Sequence, residues 1–265
     1  MLDRVTESIP WQVLRRTGIT RYLSAVYWAL RVEHDPTVRR EVGGYKAEFD
    51  VRDGADYYRV RSLLGEESII SCFLDHIRPN DVVFDVGGNI GTHACFVGQK
   101  LDDGEIIVFE PSPNYTSRLV TNVSRNVENG RVLQAALASE DGYTYLNMRG
   151  QGGDTIGETG EVIVPTRRGE TLVSEGVTDV PDVIKIDVEG AEVDVLEGFE
   201  SCLDRVRTVL CEVHPEKLDI FAATPSDVEQ RLRGAGFDVT ELDVREETYH
   251  LLATRSNTVP DEECD

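Results

Sequence analysis

From residue 66 onward, short apolar runs alternate with longer stretches whose apolar positions recur every three or four residues. The runs "VVFDV" (82–86), "GEIIVFE" (104–110), "RVLQAALA" (131–138), "DVIKID" (182–187) and "VRTVLCEVH" (206–214) are nearly continuous in apolar residues. Such runs predict strands buried on both faces, as in a parallel sheet. Between them, "EESIISCFLDHI" (66–77), the stretch reaching Leu101, "PNYTSRLVTNVSRNV" (113–127) and "AEVDVLEGFESCL" (191–203) carry helical spacing. "TPSDVEQRLRGAGF" (224–237) reads as a capped helix, with Ser226 as N-cap and Glu229 three residues on. The Gly- and Thr-rich region 140–180 holds strand-like pieces "YTYLNM" and "EVIVPTRR", and "DVTELDV" with "ETYHLLATR" ends the pattern as a strand pair. The alternation predicts a Rossmann-like three-layer α/β fold: a mostly parallel sheet with an antiparallel C-terminal hairpin on its edge.

Ahead of this rhythm, "WQVLRRTGITRYLSAVYWALR" (11–31) has helical spacing in its second half and several arginines. It is expected to pack on the main domain or on a second copy in a homodimer. The sharper alternative is a basic amphipathic patch touching an anionic membrane surface. Gly43-Gly44 introduces two alternating runs, "YKAEFDV" and "DYYRVRSLL", with Asp53-Gly54 between them, which predicts a β-hairpin turning at Asp53-Gly54. The expected organisation is a helical and hairpin extension over 1–60, a main domain over 61–255 and a disordered acidic tail over 256–265.

Composition narrows the partners. The 265 residues carry 49 Asp plus Glu against 27 Lys plus Arg, a formal net charge of −22. The only lysines are Lys46, Lys100, Lys185 and Lys217. A dense acidic, lysine-poor surface keeps a protein soluble when salt screens repulsion, as in a salt-accumulating organism, and offers no basic stripe for nucleic acid. The five cysteines, Cys72, Cys95, Cys202, Cys211 and Cys264, are widely spaced and form no C-x-x-C pair. Neither a disulfide framework nor a zinc site is indicated, and a cytoplasmic setting is expected. No run approaches the ~20 apolar residues of a membrane span.

Ligands of such sheets bind at the carboxyl ends of the strands. After the first strand stands "DVGGNIG", with Asp85, Gly87, Gly88, Asn89 and Gly91. This is not the G-x-G-x-x-G of a dinucleotide site, because Asn89 occupies the middle glycine position. An acid two residues before the first glycine suits a ligand bearing a cation better than a pyrophosphate. Glu110, followed by Pro111, ends the second strand, where a carboxylate can grip ribose hydroxyls. Together these positions fit S-adenosylmethionine. A nicotinamide-dependent oxidoreductase on the same layered fold is the alternative enzyme, and a non-catalytic cofactor-binding or scaffold protein the alternative class.

In order and spacing, "FDVGGNIGTH", "VFEPSPNYTSRLVTNV", "QAALASEDG" and "PDVIKIDVEGAEVDVLEGF…VLCEVHPE" resemble the FkbM family of S-adenosylmethionine-dependent methyltransferases, over roughly residues 65–215. The resemblance implies a class I methyltransferase fold and O-methylation of hydroxyls on sugars, glycolipids or polyketides. It implies that Asp85, Gly87, Asn89 and Gly91 line the methionine and ribose side, that Glu110 holds the ribose, and that Ala136 and Leu137 border the adenine. Gly88 stands where the family more often has alanine.

On the acceptor side, methyl transfer to a hydroxyl needs alignment and a destination for the proton. Asp187, Glu212 and His214 stand at strand ends, and His214 has the intrinsic pKa suited to a base near neutrality. Lys185 and Asp187 share one strand face, so Lys185 is expected to reach a carboxylate or the cleft. Glu189 reads either as a substrate-side acid or as an acid at a helix start. A metal site from Asp187, Glu189 and His214 could be assembled, but no spacing demands one and no metal is expected. Residues 150–162 match no pattern and are where substrate-facing groups could lie.

Overall fold

The computed structural model describes residues 36–148, 154–242 and 248–255. The helix expected over 11–31 and the tail 256–265 lie outside the described residues. Gly43 and Gly44, both with positive φ (57° and 84°), turn the first hairpin, in which β1 (Thr37–Val42) and β2 (Tyr45–Asp50) pair antiparallel. That turn corrects the hairpin expected at Asp53-Gly54. The Asp53 side chain instead accepts hydrogen bonds from the amides of Ala55 and Asp56 and caps α1 (Gly54–Ser62). Asp56 and Val60, one helical turn apart, are buried, so the run "DYYRVRSLL" begins as helix.

There follow α2 (Glu67–Leu74), β3 (Val82–Val86), α3 (Ala94–Val97), β4 (Glu105–Phe109), α4 (Pro113–Asn126), β5 (Gly130–Leu133) and β6 (Ala136–Leu137). The next elements are β7 (Gly142–Asn147), β8 (Thr155–Gly157), β9 (Val162–Arg167), α5 (Gly169–Ser174), β10 (Val183–Ile186) and α6 (Glu192–Glu197). The chain closes with β11 (Thr208–Val213), α7 (Pro215–Leu218), α8 (Pro225–Gly234), β12 (Asp238–Leu242) and β13 (Tyr249–Thr254). The run 131–138 is not one strand: β5 joins the central sheet, whereas β6 pairs with β9 in a separate sheet ordered β6-β9-β7-β8. The helix after β10 is shorter than its pattern: it ends at Glu197, and Gly198 follows at a point where a Cβ would lie 2.2 Å from the Ala138 carbonyl oxygen. The α8 cap also differs from the expectation. Thr224, not Ser226, is the N-cap, and it forms its capping box with Asp227, while Pro225 takes the first helical position.

The central sheet runs β12-β13-β11-β10-β3-β4-β5. β10, β11, β3, β4 and β5 are parallel, and β13 is antiparallel to both β11 and β12, which gives the expected reversed hairpin on the edge. One apolar cluster packs on each face, the first built with Phe49, Phe73, Ile90 and Leu119, the second with Phe84, Phe109, Phe199 and Leu232. This is the three-layer arrangement that the alternating pattern requires. The β1–β2 hairpin belongs to the first cluster through Val38, Ala47 and Phe49. Strand order reverses between β3 and β10, which opens a crevice at their carboxyl ends.

Candidate active site

The crevice is a cavity lined from both halves of the sheet. All the residues singled out from the sequence line it except Asp85 and Gly91. Gly87, Asn89, Glu110, Pro111, Ala136 and Leu137 form one side, and Lys185, Asp187, Glu189, Glu212 and His214 the other. Asp85 lies beneath the glycine loop, only 2% exposed, which corrects its expected place on the ligand surface. Its neighbour across the parallel register is Lys185, whose Nζ lies 3.1 Å from Asp85 Oδ1 and 3.3 Å from Asp187 Oδ2. Lys185 thus reaches carboxylates, as its burial demands. Burial alone would pull its pKa down, but Asp85 and Asp187 outweigh that and push it up. Burial pushes Asp85 up against the pull of Lys185.

The glycine loop has a packing reason as well as a ligand reason. Gly87 has φ +82°, and a Cβ there would meet the Asp187 carbonyl oxygen at 1.8 Å. Only glycine lets the β3 loop pass so close to the end of β10. Asn89, also at positive φ, donates its backbone N–H to Glu110 Oε2 at 2.8 Å, and Ser112 N–H donates to Oε1 at 2.7 Å. Burial nevertheless dominates and pushes Glu110 up to about 7. Each Glu110 oxygen keeps lone-pair capacity toward the cleft. The buried Asn89 Oδ1 has no hydrogen-bond partner among the described residues. Adjacent hydroxyls of a ligand in the cleft would find acceptors in Asn89 Oδ1 and in the remaining lone pairs of Glu110.

Opposite, the His214 ring is fixed by a residue that the pattern did not reveal. Glu192 is fully buried, and its Oε1 lies 2.8 Å from His214 Nδ1 while also accepting the Gly190 N–H at 3.1 Å. Nε2 therefore faces the cleft, 3.5 Å from Glu189 Oε2 and 4.0 Å from Asp187 Oδ1. Burial pulls the imidazole down, but the Glu192 hydrogen bond and the charges of Asp187, Glu192 and Glu212 outweigh it and raise the pKa to about 9. This corrects the idea of a free imidazole base at neutral pH: the surrounding carboxylates keep the ring protonated. Burial raises Asp187, but Lys185 and His214 together hold it well below the usual carboxylate range. Glu212 is pushed up to about 7 by burial and by Asp187 and Glu66. Glu189 sits at φ 55°, outside α6, and bonds to Lys217, so the acids in the first turn of that helix are Glu192 and Asp194.

Arg59, Glu66, Tyr115 and Asp154 also line the cavity. Asp154 Oδ2 accepts the Ser112 hydroxyl at 2.6 Å, and its buried Oδ1 has no hydrogen-bond partner among the described residues. Asp154 lies in the stretch that matched no pattern. Arg59 and Glu66 were hidden by reading their segments only as secondary structure. Glu192 was legible only as an acid in a helical run.

Residues 85–239 match the methyltransferase FkbM domain. The chain is also 33% identical over 222 residues to the hexuronic acid methyltransferase AglP of Haloferax volcanii, a match covering 82% of this chain and 88% of that protein. The chain belongs to the FkbM methyltransferase family. As an FkbM methyltransferase it uses S-adenosylmethionine, and the nicotinamide reading falls away. The 31-O-demethyl-FK506 methyltransferase FkbM of Streptomyces tacrolimicus is 32% identical over 208 residues, covering 63% of this chain and 78% of that protein. Among solved structures, the magnesium protoporphyrin IX methyltransferase of Synechocystis PCC 6803 with bound SAM aligns with TM-score 0.48 at 13% identity, over 77% of this chain and 84% of that one. A likeness at that level carries no functional weight. In this FkbM methyltransferase no described helix is long and apolar enough to cross a membrane.

Proposed function

We propose that this FkbM methyltransferase transfers a methyl group to a hydroxyl of a glycan, glycolipid or related small metabolite. The observation that carries this reading is the pairing, in one cavity, of the Glu110–Asn89 cradle with the Asp187–Glu212–His214 group. Relatives named as a hexuronic acid methyltransferase, as a 31-O-demethyl-FK506 methyltransferase and as a 2-O-methyltransferase support an oxygen acceptor on a sugar or polyketide-like compound. The acidic, lysine-poor composition and the Haloferax relative support work in a salt-rich cytoplasm.

S-adenosylmethionine, when bound, supplies an activated methyl group on a sulfonium. Glu110 would accept the ribose hydroxyls, and Gly87 and Asn89 would border the methionine side, with Pro111, Ala136 and Leu137 beside the adenine. Lys185 holds Asp85 and Asp187 in place from below. Asp187 Oδ1 and His214 Nε2 would meet the acceptor oxygen. As the carbon–oxygen bond forms, the acceptor O–H becomes strongly acidic, so an ionised carboxylate suffices to take the proton. Asp187, held ionised by Lys185 and His214, is in that state at every working pH. Glu189 and Glu212 complete the acceptor wall.

Calorimetry with S-adenosylhomocysteine in high salt tests the cofactor half: the folded protein binds it, and absence of binding would refute the assignment. For the acceptor half, Asp187→Ala and His214→Ala should each lower transfer at least about a hundredfold while S-adenosylhomocysteine affinity survives. Normal methylation by both variants would show the acceptor wall to be elsewhere.

A further inference from the structure

We propose that Asp187, Glu212 and His214 bind one divalent metal ion at the acceptor end of the cleft. The proposal rests on the reading of the cleft as a methyltransferase site, and adds a component that the residue spacing alone did not demand. One ligand atom from each of these residues can be chosen so that all lie within 4.8 Å of one another, and Glu212 and His214 are buried. The three donors come from the end of β10, from within β11 and from the position just after it, so the sheet itself sets their separation. The 4.0 Å between Asp187 Oδ1 and His214 Nε2 is too long for a hydrogen bond. Two ligands about 2.1 Å from a shared ion lie about 3.0–3.4 Å apart at octahedral or tetrahedral angles, so a bound ion would draw these two atoms together by roughly half an ångström or more.

A second observation points the same way. His214 is buried (6% exposed), and the ion-pair contacts of its Nε2 are Glu189 Oε2 at 3.5 Å and Asp187 Oδ1 at 4.0 Å, neither of them closed to an ordinary hydrogen bond. Its Nδ1 is taken by Glu192, itself fully buried, which is how a carboxylate fixes the tautomer and orientation of a metal-binding imidazole. The neighbouring charges are already spoken for: Asp187 Oδ2 faces Lys185, and Glu189 bonds to Lys217. A bound ion would displace the proton that the carboxylates hold on Nε2, leaving one nitrogen and two carboxylate donors at the gap. That donor set favours Mn²⁺, Fe²⁺ or Zn²⁺ over the all-oxygen preference of Mg²⁺ and Ca²⁺. An ion there would bind the acceptor oxygen and polarise its O–H bond; Asp187 would then serve as a ligand of the ion, and the proton released as the methyl group transfers would pass to water in the cleft.

The test is Mn²⁺ titration of the chelator-treated full-length protein in about 2 M KCl, which screens weak association with the acidic surface. Free Mn²⁺ is read by electron paramagnetic resonance. One equivalent should bind, with affinity lowered at least about tenfold in Asp187→Asn and in His214→Gln and unchanged in His250→Gln, which removes the histidine of the neighbouring Glu66–Glu212–His250 group that shares Glu212. Nitrogen hyperfine coupling to bound Mn²⁺ in the unsubstituted protein should show imidazole ligation, which needs no variant to fold. The proposal is overturned by any of four results: no binding below about 1 mM Mn²⁺, equal binding in all variants, loss in His250→Gln alone, or absence of nitrogen coupling. S-adenosylhomocysteine binding by the chelated protein is measured in parallel. If it persists while Mn²⁺ fails to bind, the metal site alone is refuted and the methyltransferase reading stands.

Discussion

At the scale of single residues, Glu110 shows how burial tunes a binding group. Both its oxygens accept backbone N–H bonds, which favour the ionised form, yet desolvation wins and leaves the carboxyl near pH 7. Ribose hydroxyls donate to the ionised carboxylate better than to the acid, so binding of S-adenosylhomocysteine should expel a proton. Affinity should therefore weaken as pH falls through about 7, by roughly tenfold per unit below it. Glu110→Gln should bind more weakly at pH 8 and with little pH dependence. Calorimetry between pH 6 and 9 checks both, since proton release makes the apparent enthalpy depend on the buffer; a flat profile for the unsubstituted protein would refute it. In the absence of ligand the same shift has the opposite consequence. A carboxyl raised in the folded state contributes stability that is present below its unfolded pKa and lost as pH rises through about 7. Much of this site was readable in the sequence because it sits at strand ends, where Asp187, Glu110 and His214 follow apolar runs directly. Glu192 was not, because a buried acid in the first turn of a helix has the same sequence signature as an exposed one. Only the fold shows that its partner is a histidine 22 positions on.

Between elements, the polar contacts of α4 decide how the N-terminal hairpin is held. Tyr115, Leu119, Asn122 and Val123 are buried on the inner face of α4, and Asn126 lies one turn beyond Asn122. Asn122 and Asn126 follow one another along this helix, and the structure shows them to be a splice. Asn122 Oδ1 accepts the Asp50 N–H at 2.7 Å, and its Nδ2 donates to the Ile90 carbonyl at 2.8 Å. Asn126 likewise bridges both backbone groups of Glu48. One side chain therefore ties the edge of β2 to the loop that carries Asn89 and Gly91. Asn122→Ala would strand a buried donor and a buried acceptor. Stability should fall by about 2–4 kcal/mol, read by denaturant unfolding, and the Asp50 amide should exchange faster. A loss under about 1 kcal/mol would mean that water replaces the side chain. The hairpin itself illustrates the limit of pattern reading. Gly43-Gly44 and Asp53-Gly54 are both valid turn signals, and "DYYRV" satisfies either period over so few residues. What decides is the pair of amides that Asp53 caps and the burial of Asp56 against Arg118, a contact 62 residues away that no local rule contains.

Over the whole molecule, the acids divide into two populations that salt should separate. Inside, Asp85, Asp187, Glu192 and Asp56 have specific cationic or imidazole partners, and burial shields these pairs from ions in solution. Outside, a net charge of −22 spread over 265 residues generates self-repulsion that opposes the compact state. The exposed ion pairs, such as Arg39–Glu48 and Arg233–Glu229, contribute little against that field. Added KCl should therefore relieve surface repulsion without loosening the interior pairs. The unfolding midpoint is expected to rise by several degrees between about 0.1 and 2 M KCl, since about 1 kcal/mol moves a domain of this size by roughly 2–4 °C. Most of the gain should come below about 1 M, where the Debye length has already shrunk to about 3 Å. Scanning calorimetry at constant pH measures this directly. KCl is the informative salt, because strongly excluded anions such as sulfate stabilise folded proteins whatever their charge. A midpoint that stays level or falls with KCl would show that the surface charge is not what limits stability, and that the acidic composition serves solubility alone.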